Sequence, residues 1–387
     1  MTGIYLDNAA TTFPKPRQVG EALRDWLETG AGSPGRGNHA LALRSGDAVH
    51  RVRRGLARFF GVRDANRLVF CCSGTDALNM ALKGFLDEGD HVLISSMEHN
   101  SVLRPLRGLE RDRRIRLEVV PCDSLGRLDP GDIVGRFNER TKLVVVSHAS
   151  NVAGTVQPIG GIGTAVRERG AYLLVDAAQS AGVLPLDLGA LDVDMVAFAG
   201  HKGLYGLQGT GCLIVGDRIR SLRPWREGGT GVDSLSETQP RAWPEAFESG
   251  TPNVPGILAL GAGLAFIEEK GIDAIRGVEM ERCSQLWEGL AGFENVEMYG
   301  PPPGEDRVGV LSLNIRGWEP GDVGDVLNSN HGIRVRTGLH CAPLAHRTLG
   351  THPSGTVRLS PGYFSTPDDI RKTVLAIGML ARTLVAG

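Results

Sequence analysis

The chain reads as an α/β protein, a doubly wound and mostly parallel seven-stranded sheet with helices on both faces, followed by a smaller C-terminal α+β domain. Three observations predict this. Seven short apolar runs, most of them separated by helix-length segments, give the alternation of a parallel sheet. The 387 residues exceed what one simple core organises, so a second, smaller domain is expected. Polar residues of distinct chemistry also stand at the ends of several runs, where sheets of this kind bind ligands.

The opening YLDNAATTFPKP carries Pro14 and Pro16 and reads as an extended arm lying against another part of the molecule. Arg17 to Glu28 and Ala40 to Phe60 have helical apolar spacing on either side of the glycine-rich loop GAGSPGRGNHA. The seven strands are RLVFCC, HVLISS, RLEVV, KLVVVS, YLLVD, DMVAFAG and GCLIVG. Past them the chain is irregular through FESGTPNVPG, where Pro252 and Pro255 oppose regular structure. Two long helices follow, then the strands NVEMYG, VGVLSLNI, IRVRT and TVRLSP, and a final helix, DDIRKTVLAIGMLARTL. The expected organisation is an arm over 1–17 packing with the small domain, a large domain over 18–267, and a small domain over 268–387.

Composition removes several classes of function. Lys plus Arg number 42 against 44 for Asp plus Glu, so no basic excess points to nucleic acid or an anionic membrane surface. The longest apolar tract, VPGILALGAGLAFI, is too short to span a bilayer, and MTGIYLDNAATT has no basic segment followed by an apolar core. A cytoplasmic protein that handles small molecules or other proteins is expected. None of the six cysteines forms a C-x-x-C pair, which argues against a structural zinc site or an iron-sulfur cradle, and no metal is expected. Five cysteines lie in or beside apolar runs and read as core residues; Cys341 differs, with Arg336, His340 and a glycine-containing loop beside it.

The chemistry concentrates between Ala171 and Gly211. One apolar run ends in Asp176 and another just before His201 and Lys202, so both polar ends share one rim of a parallel sheet. A lysine that forms a Schiff base and a carboxylate that keeps a pyridine nitrogen protonated are what pyridoxal 5'-phosphate requires. A solvated lysine in a glycine-rich loop with a turn-capping aspartate is the plain alternative. Ser73, Gly74 and Thr75 open a helix directly behind the first strand, where free N–H groups and the positive dipole end suit a phosphate. Ordinary N-capping by Ser73 or Thr75 accounts for the same residues. Thr75, His99, Asn151, Asp176 and Lys202 all fall at strand ends, and five together are harder to dismiss than one.

In order along the chain, YLDNAATTFPKP, SGTDALN, MEHNS, SNVAGTVQP, VDAAQS, GHKGLYG, FESGTPN, RTGLHCAP and GTVRLSPGYF resemble the class V aminotransferase family, within its cysteine desulfurase and selenocysteine lyase branch. The resemblance implies the pyridoxal phosphate-dependent transferase fold of type I. It implies that Lys202 carries the cofactor and moves the substrate's α proton, that Asp176 pairs with the pyridine nitrogen, and that His99 stacks on the ring. Gln179 would donate to the ring oxygen, with Asn151 near that oxygen and the substrate carboxylate. Gly74, Thr75 and His201 would hold the phosphate, and Thr251 would reach the phosphate of a second subunit, which implies a homodimer. Arg358 would grip the substrate carboxylate as a bidentate fork. Cys341 would take sulfur from L-cysteine as a persulfide, with Arg336 and His340 supplying positive charge beside it, and would pass the sulfur to a thiol or an acceptor protein.

Three features depart from the family pattern. Ala199 stands where relatives often carry a phosphate-binding hydroxyl, Leu339 replaces a histidine common beside the cysteine, and the stretch after Lys202 is one residue longer than in well-known sulfur-mobilising enzymes. The compact GLHCAPLAH implies a thiol held close to the ring. Four alternatives to cysteine desulfuration stay open: a selenocysteine lyase, a cysteine sulfinate desulfinase, a true transaminase, and a non-catalytic scaffold or sulfur carrier.

Overall fold

The computed structural model describes residues 3–29, 32–35, 37–113 and 115–383. Parts of the expected glycine-rich loop, the first two residues of the arm and the last four of the chain lie outside the described residues. In chain order the first half comprises β1 (Ile4–Tyr5), α1 (Arg17–Thr29), α2 (Ala40–Phe59), β2 (Leu68–Cys71), α3 (Gly74–Phe85), β3 (His91–Ser95), α4 (Asn100–Arg113), β4 (Arg116–Val120), α5 (Pro130–Val134), β5 (Thr141–Ser147), α6 (Ile159–Glu168), β6 (Tyr172–Asp176), β7 (Met195–Ala199) and β8 (Gly211–Val215). The second half comprises α7 (Val254–Lys270), α8 (Ile272–Leu290), β9 (Val296–Tyr299), β10 (Leu311–Ile315), α9 (Pro320–His331), β11 (Ile333–Arg334), β12 (Arg336–Gly338), α10 (Pro343–Thr348), β13 (Thr356–Leu359) and α11 (Pro367–Arg382).

All seven apolar runs expected as strands form one sheet in the order β2-β8-β7-β6-β5-β3-β4. Only β8 runs against its neighbours, so the carboxyl ends of β2, β3, β5, β6 and β7 open on the same rim. β3, β7 and β8 are buried at every position, which is why their sequences are continuous apolar runs rather than alternating ones. Two apolar clusters cover the two faces, one around Phe60, Phe198 and Leu260, the other around Leu78, Met80 and Val145.

A second sheet, β12-β13-β10-β9, is antiparallel and packs its apolar side on α8 and α11 around Leu311, Leu313 and Leu359. Two details differ from expectation. The run IRVRT is not one strand: Ile333 and Arg334 pair in parallel with Ile4 and Tyr5 of the arm, while Arg336 begins a separate strand beside β13. Ile4 and Leu6 thereby enter the second core, where their burial rewards ordering the arm. Pro255 also does not oppose structure; it lies in the first turn of α7, where a missing N–H costs nothing, and the Asn253 side chain caps the Gly256 N–H.

Candidate active site

A cleft of about 570 Å³ lies over the shared rim, lined by residues that follow β2, β3, β5, β6 and β7. It brings together Gly74, Thr75, His99, Asn151, Asp176, Gln179, His201 and Lys202 from the residues the sequence singled out. Each arrives by local logic. Ser73 caps α3, accepting from the Asp76 N–H, and sets the helix head at the cleft. A Cβ at Gly74 would stand 3.3 Å from the Ala199 backbone nitrogen, so a small residue lets the helix start approach β7. The His99 ring turns back on its own helix, its Nδ1 accepting from the Ser101 N–H at 3.0 Å, which leaves the proton on Nε2. Ser101 Oγ lies 2.8 Å from that Nδ1 and 2.7 Å from Thr75 Oγ1, tying the heads of α3 and α4 together.

Electrostatics follow from burial. The Lys202 amine is pulled down to about 8, first by burial and further by Arg358 and Arg336, against the opposing pull of Asp176 and Asp7. At neutral pH part of it is therefore the free nucleophile. Burial pushes the Asp176 carboxyl up, and the Ala178 N–H and Lys202 hold it back. Burial and the Lys202 charge bring both His99 and His201 down to about 4, so both rings are neutral at pH 7.

The arm holds the Lys202 loop from outside. Thr11 Oγ1, Thr12 Oγ1 and Lys15 Nζ all donate to the His201 carbonyl, at 3.1, 3.2 and 2.8 Å, and Thr12 Oγ1 also lies 3.1 Å from the Lys202 carbonyl. Gln179 donates to the Ala9 carbonyl at 2.9 Å. Lys15 and Asp7 went unrecognised in the sequence, where the arm gave only an extended backbone.

The small sheet supplies the remaining candidates. Arg358, 2% exposed, donates to Asp7 Oδ1 at 2.7 Å and to the Asn151 carbonyl at 3.0 Å, so it meets the cleft at its edge through Asn151. Arg336 faces it directly across the β12–β13 pair, and Asp7 offsets part of that like-charge contact. Cys341 is exposed and borders an outer cavity of about 1060 Å³ that shares Thr75, His99 and Ser101 with the cleft. His340 and Cys341 both adopt left-handed backbone, φ +47° and +57°, which costs a non-glycine residue roughly 1–2 kcal/mol. The His340 ring is buried against Thr356 and His346, and burial drives it far below the usual histidine range. It is neutral, so it brings no charge to Cys341 and does not line the cleft. Thr251 is exposed in the loop before α7 and lines neither cavity.

In the sequence Glu98, in MEHNS, reads only as a residue near the end of the HVLISS strand, with no role. Fully buried, it accepts from Ser95 Oγ, the Ser147 N–H and Ser147 Oγ at 2.5, 2.8 and 2.8 Å, joining the ends of β3 and β5, and burial raises it to about 7. An acid three residues past the end of a fully buried strand was the available signal.

The cleft fits a phosphorylated pyridine cofactor. A buried carboxylate at one side, an amine held near neutrality, a capped helix head with a hydroxyl at the other side, and a buried His201 Nδ1 without a partner make the donor set that such a group needs. Among the described residues no group of three or more His, Cys, Asp or Glu side chains is placed to hold a metal, and no helix is long and apolar enough to cross a membrane.

Fold and cleft together define a pyridoxal phosphate-dependent transferase fold of type I. The chain belongs to the Aminotransferase class-V family, whose profile matches residues 4–373, and the members of this family are pyridoxal phosphate enzymes. A probable cysteine desulfurase of Methanothermobacter thermautotrophicus is 36% identical, over 95% of this chain and 92% of that protein. A cysteine desulfurase of Salmonella agona is 34% identical, over 98% of this chain and 94% of that one. Among solved structures, the apo cysteine desulfurase of Thermococcus onnurineus NA1 superposes with a TM-score of 0.92 at 32% identity, covering 98% of this chain and 95% of that one. An S-sulfonic acid form of an Escherichia coli cysteine desulfurase gives 0.88 at 27% identity, covering 99% and 96%.

Proposed function

We propose that this chain is a cysteine desulfurase that uses pyridoxal 5'-phosphate to remove sulfur from L-cysteine, giving L-alanine and a persulfide on Cys341. The observation that carries the reading is the pairing of a buried, partly deprotonated Lys202 with an accessible Cys341 on two cavities that share His99. When bound, the cofactor supplies an electron sink at the substrate's α carbon. Lys202 would tether it and move the α proton, Asp176 would pair with its ring nitrogen, Gln179 and Asn151 would serve its ring oxygen, and neutral His99 would cover its face. Gly74, Thr75 and His201 hold its phosphate.

Arg358 binds the substrate carboxylate in exchange for Asp7, and Arg336 adds positive charge beside it. Cys341 sulfur forms an S–S bond to the substrate sulfur as the S–Cβ bond breaks. The electron pair stays with the three-carbon fragment, which gains a proton and leaves as alanine. A thiol or an acceptor protein then takes the outer sulfur.

Thr251, exposed on its loop, suits a contact with a second subunit, so the reading includes a homodimer. The domains are taken as 18–267 and 268–387, with the arm at 1–17. A cytoplasmic setting agrees with the need for a free thiol. The neutral His340 leaves Arg336 as the cation expected near Cys341.

The test is direct. Protein loaded with the cofactor should be yellow, and with L-cysteine and a reductant it should form alanine and sulfide in equal amounts, whereas Cys341→Ala should form neither. A colourless protein sinks the cofactor, and alanine unchanged by the substitution sinks the persulfide. One observation favours a second reading: Cys341 lines the outer cavity rather than the cleft itself. A selenocysteine lyase or a sulfinate desulfinase, whose leaving group departs more easily, would tolerate that distance.

A further inference from the structure

The turn bearing Cys341 is short and strained, with Cys341 exposed between buried His340 and Ala342, and its backbone is tied to α4 and to the loop after β5 at two consecutive carbonyls. Cys341 O accepts from the Asn100 N–H at 2.7 Å, and His340 O accepts from Asn151 Nδ2 at 2.8 Å. Asn100 is the first residue of α4, a helix whose leading N–H groups need partners from outside. His99 supplies three of them, its ring Nδ1 to Ser101 and its carbonyl to Val102 and Leu103. The fourth comes from the cysteine turn. A third tie runs inward, with His340 Nε2 3.1 Å from Thr356 Oγ1, Thr356 Oγ1 donating to Ser312 Oγ, and Ser312 Oγ donating to the Val152 carbonyl.

We propose that the Asn100 backbone N–H and the Asn151 amide form a two-point clamp that positions the Cys341 sulfur against the His99 end of the cleft, with the buried His340 ring as its anchor. Two adjacent left-handed residues persist only where the surroundings over-determine them, and these three ties are what over-determines this turn. His340 thus acts through Cys341 by shape rather than by charge. The clamp also joins the cysteine turn to the carboxylate site, because Arg358 donates to the Asn151 carbonyl while the Asn151 amide holds the turn. Leu339, where a second histidine is common, leaves the turn dependent on this backbone clamp. The inference rests on Cys341 being the sulfur-accepting nucleophile.

One substitution isolates the contact. Asn100→Pro removes a single N–H at the first position of α4, where proline fits a helix. Asn100→Ala keeps the N–H. In the cofactor-loaded enzyme, N100P should form the Cys341 persulfide about tenfold more slowly in a single turnover with L-cysteine, and amide hydrogen exchange over 339–342 should quicken by a similar factor. Cofactor absorption should not change, and N100A should behave as the unaltered protein. Unchanged exchange and unchanged persulfide formation in N100P would overturn the clamp. If N100P does not fold, Thr356→Val, which frees the His340 ring from its anchor, must show the same paired change, and its failure to do so overturns the proposal equally. Absence of persulfide in the unaltered enzyme would instead defeat the desulfurase reading, while the exchange measurement would still decide the clamp.

Discussion

Lys202 follows β7, an inner strand of a seven-stranded sheet that is buried along its whole length, and the arm grips its loop through the His201 carbonyl. Cys341 is exposed on the turn between β12 and α10, at the edge of the small sheet, in left-handed backbone. On the proposed reading, the group that tethers the cofactor is set where the core itself fixes its reach and lowers its charge. The group proposed to hand its product outward is set on the surface, and its order has to be supplied by ties from elsewhere. The two regions therefore respond to substitution in different ways.

The largest effect tests the buried side. Lys202→Ala should end turnover, a loss of roughly 10³-fold or more given what a positioned acid–base group contributes, and should abolish the yellow absorbance. On the exposed side, Cys341→Ser should remove sulfide release from L-cysteine while leaving that absorbance intact; loss of both would mean the two regions are not separable. Arg358→Lys comes next. Losing a bidentate charge-assisted contact should raise KM for L-cysteine by about 10- to 100-fold with a smaller change in kcat, as steady-state kinetics will read.

A pH series sharpens the electrostatic half of the comparison. Lys202 is depressed from its ordinary value to about 8, so its neutral fraction grows about tenfold per pH unit below 8 and levels off above it. The rate at which apo protein recovers absorbance on adding cofactor should follow that curve. Glu98 has the opposite sign. Its folded value near 7 lies above the ordinary carboxyl value, so the fold binds the extra proton and stability falls as pH rises from about 4.5 to 7. Glu98→Gln should flatten that slope in thermal melts of the apo protein. The smallest effect belongs to Ala199, buried at the cleft wall. Ala199→Ser adds one donor near the helix head and should tighten cofactor binding by up to about tenfold, read by equilibrium dialysis.

The large sheet was legible because burial on both faces writes most of its strands as largely apolar runs, the edge strand β4 excepted, and its ligand rim follows from strand direction. Asp176, Lys202, Thr75 and His99 were legible for the same reason, each lying at or within a few residues past the end of such a run. The roles of Glu98 and Lys15 were missed because they lie in partners far along the chain: Ser147 for one, the His201 carbonyl for the other. His340 was read as a charge beside the thiol, since adjacency in sequence says nothing about which way a ring turns.

By itself, then, the amino-acid order determined the sheet, the strand-end residues of the cleft and the family, since these depend on local hydrophobic pattern and on motifs in sequence. Only the tertiary structure decided that the arm meets both the Lys202 loop and Arg358, that IRVRT is divided between two sheets, and that the cysteine turn hangs from the head of α4. Those features rest on a few hydrogen bonds between residues up to some hundreds of positions apart, and no periodicity in the chain records a contact that only the folded backbone brings about.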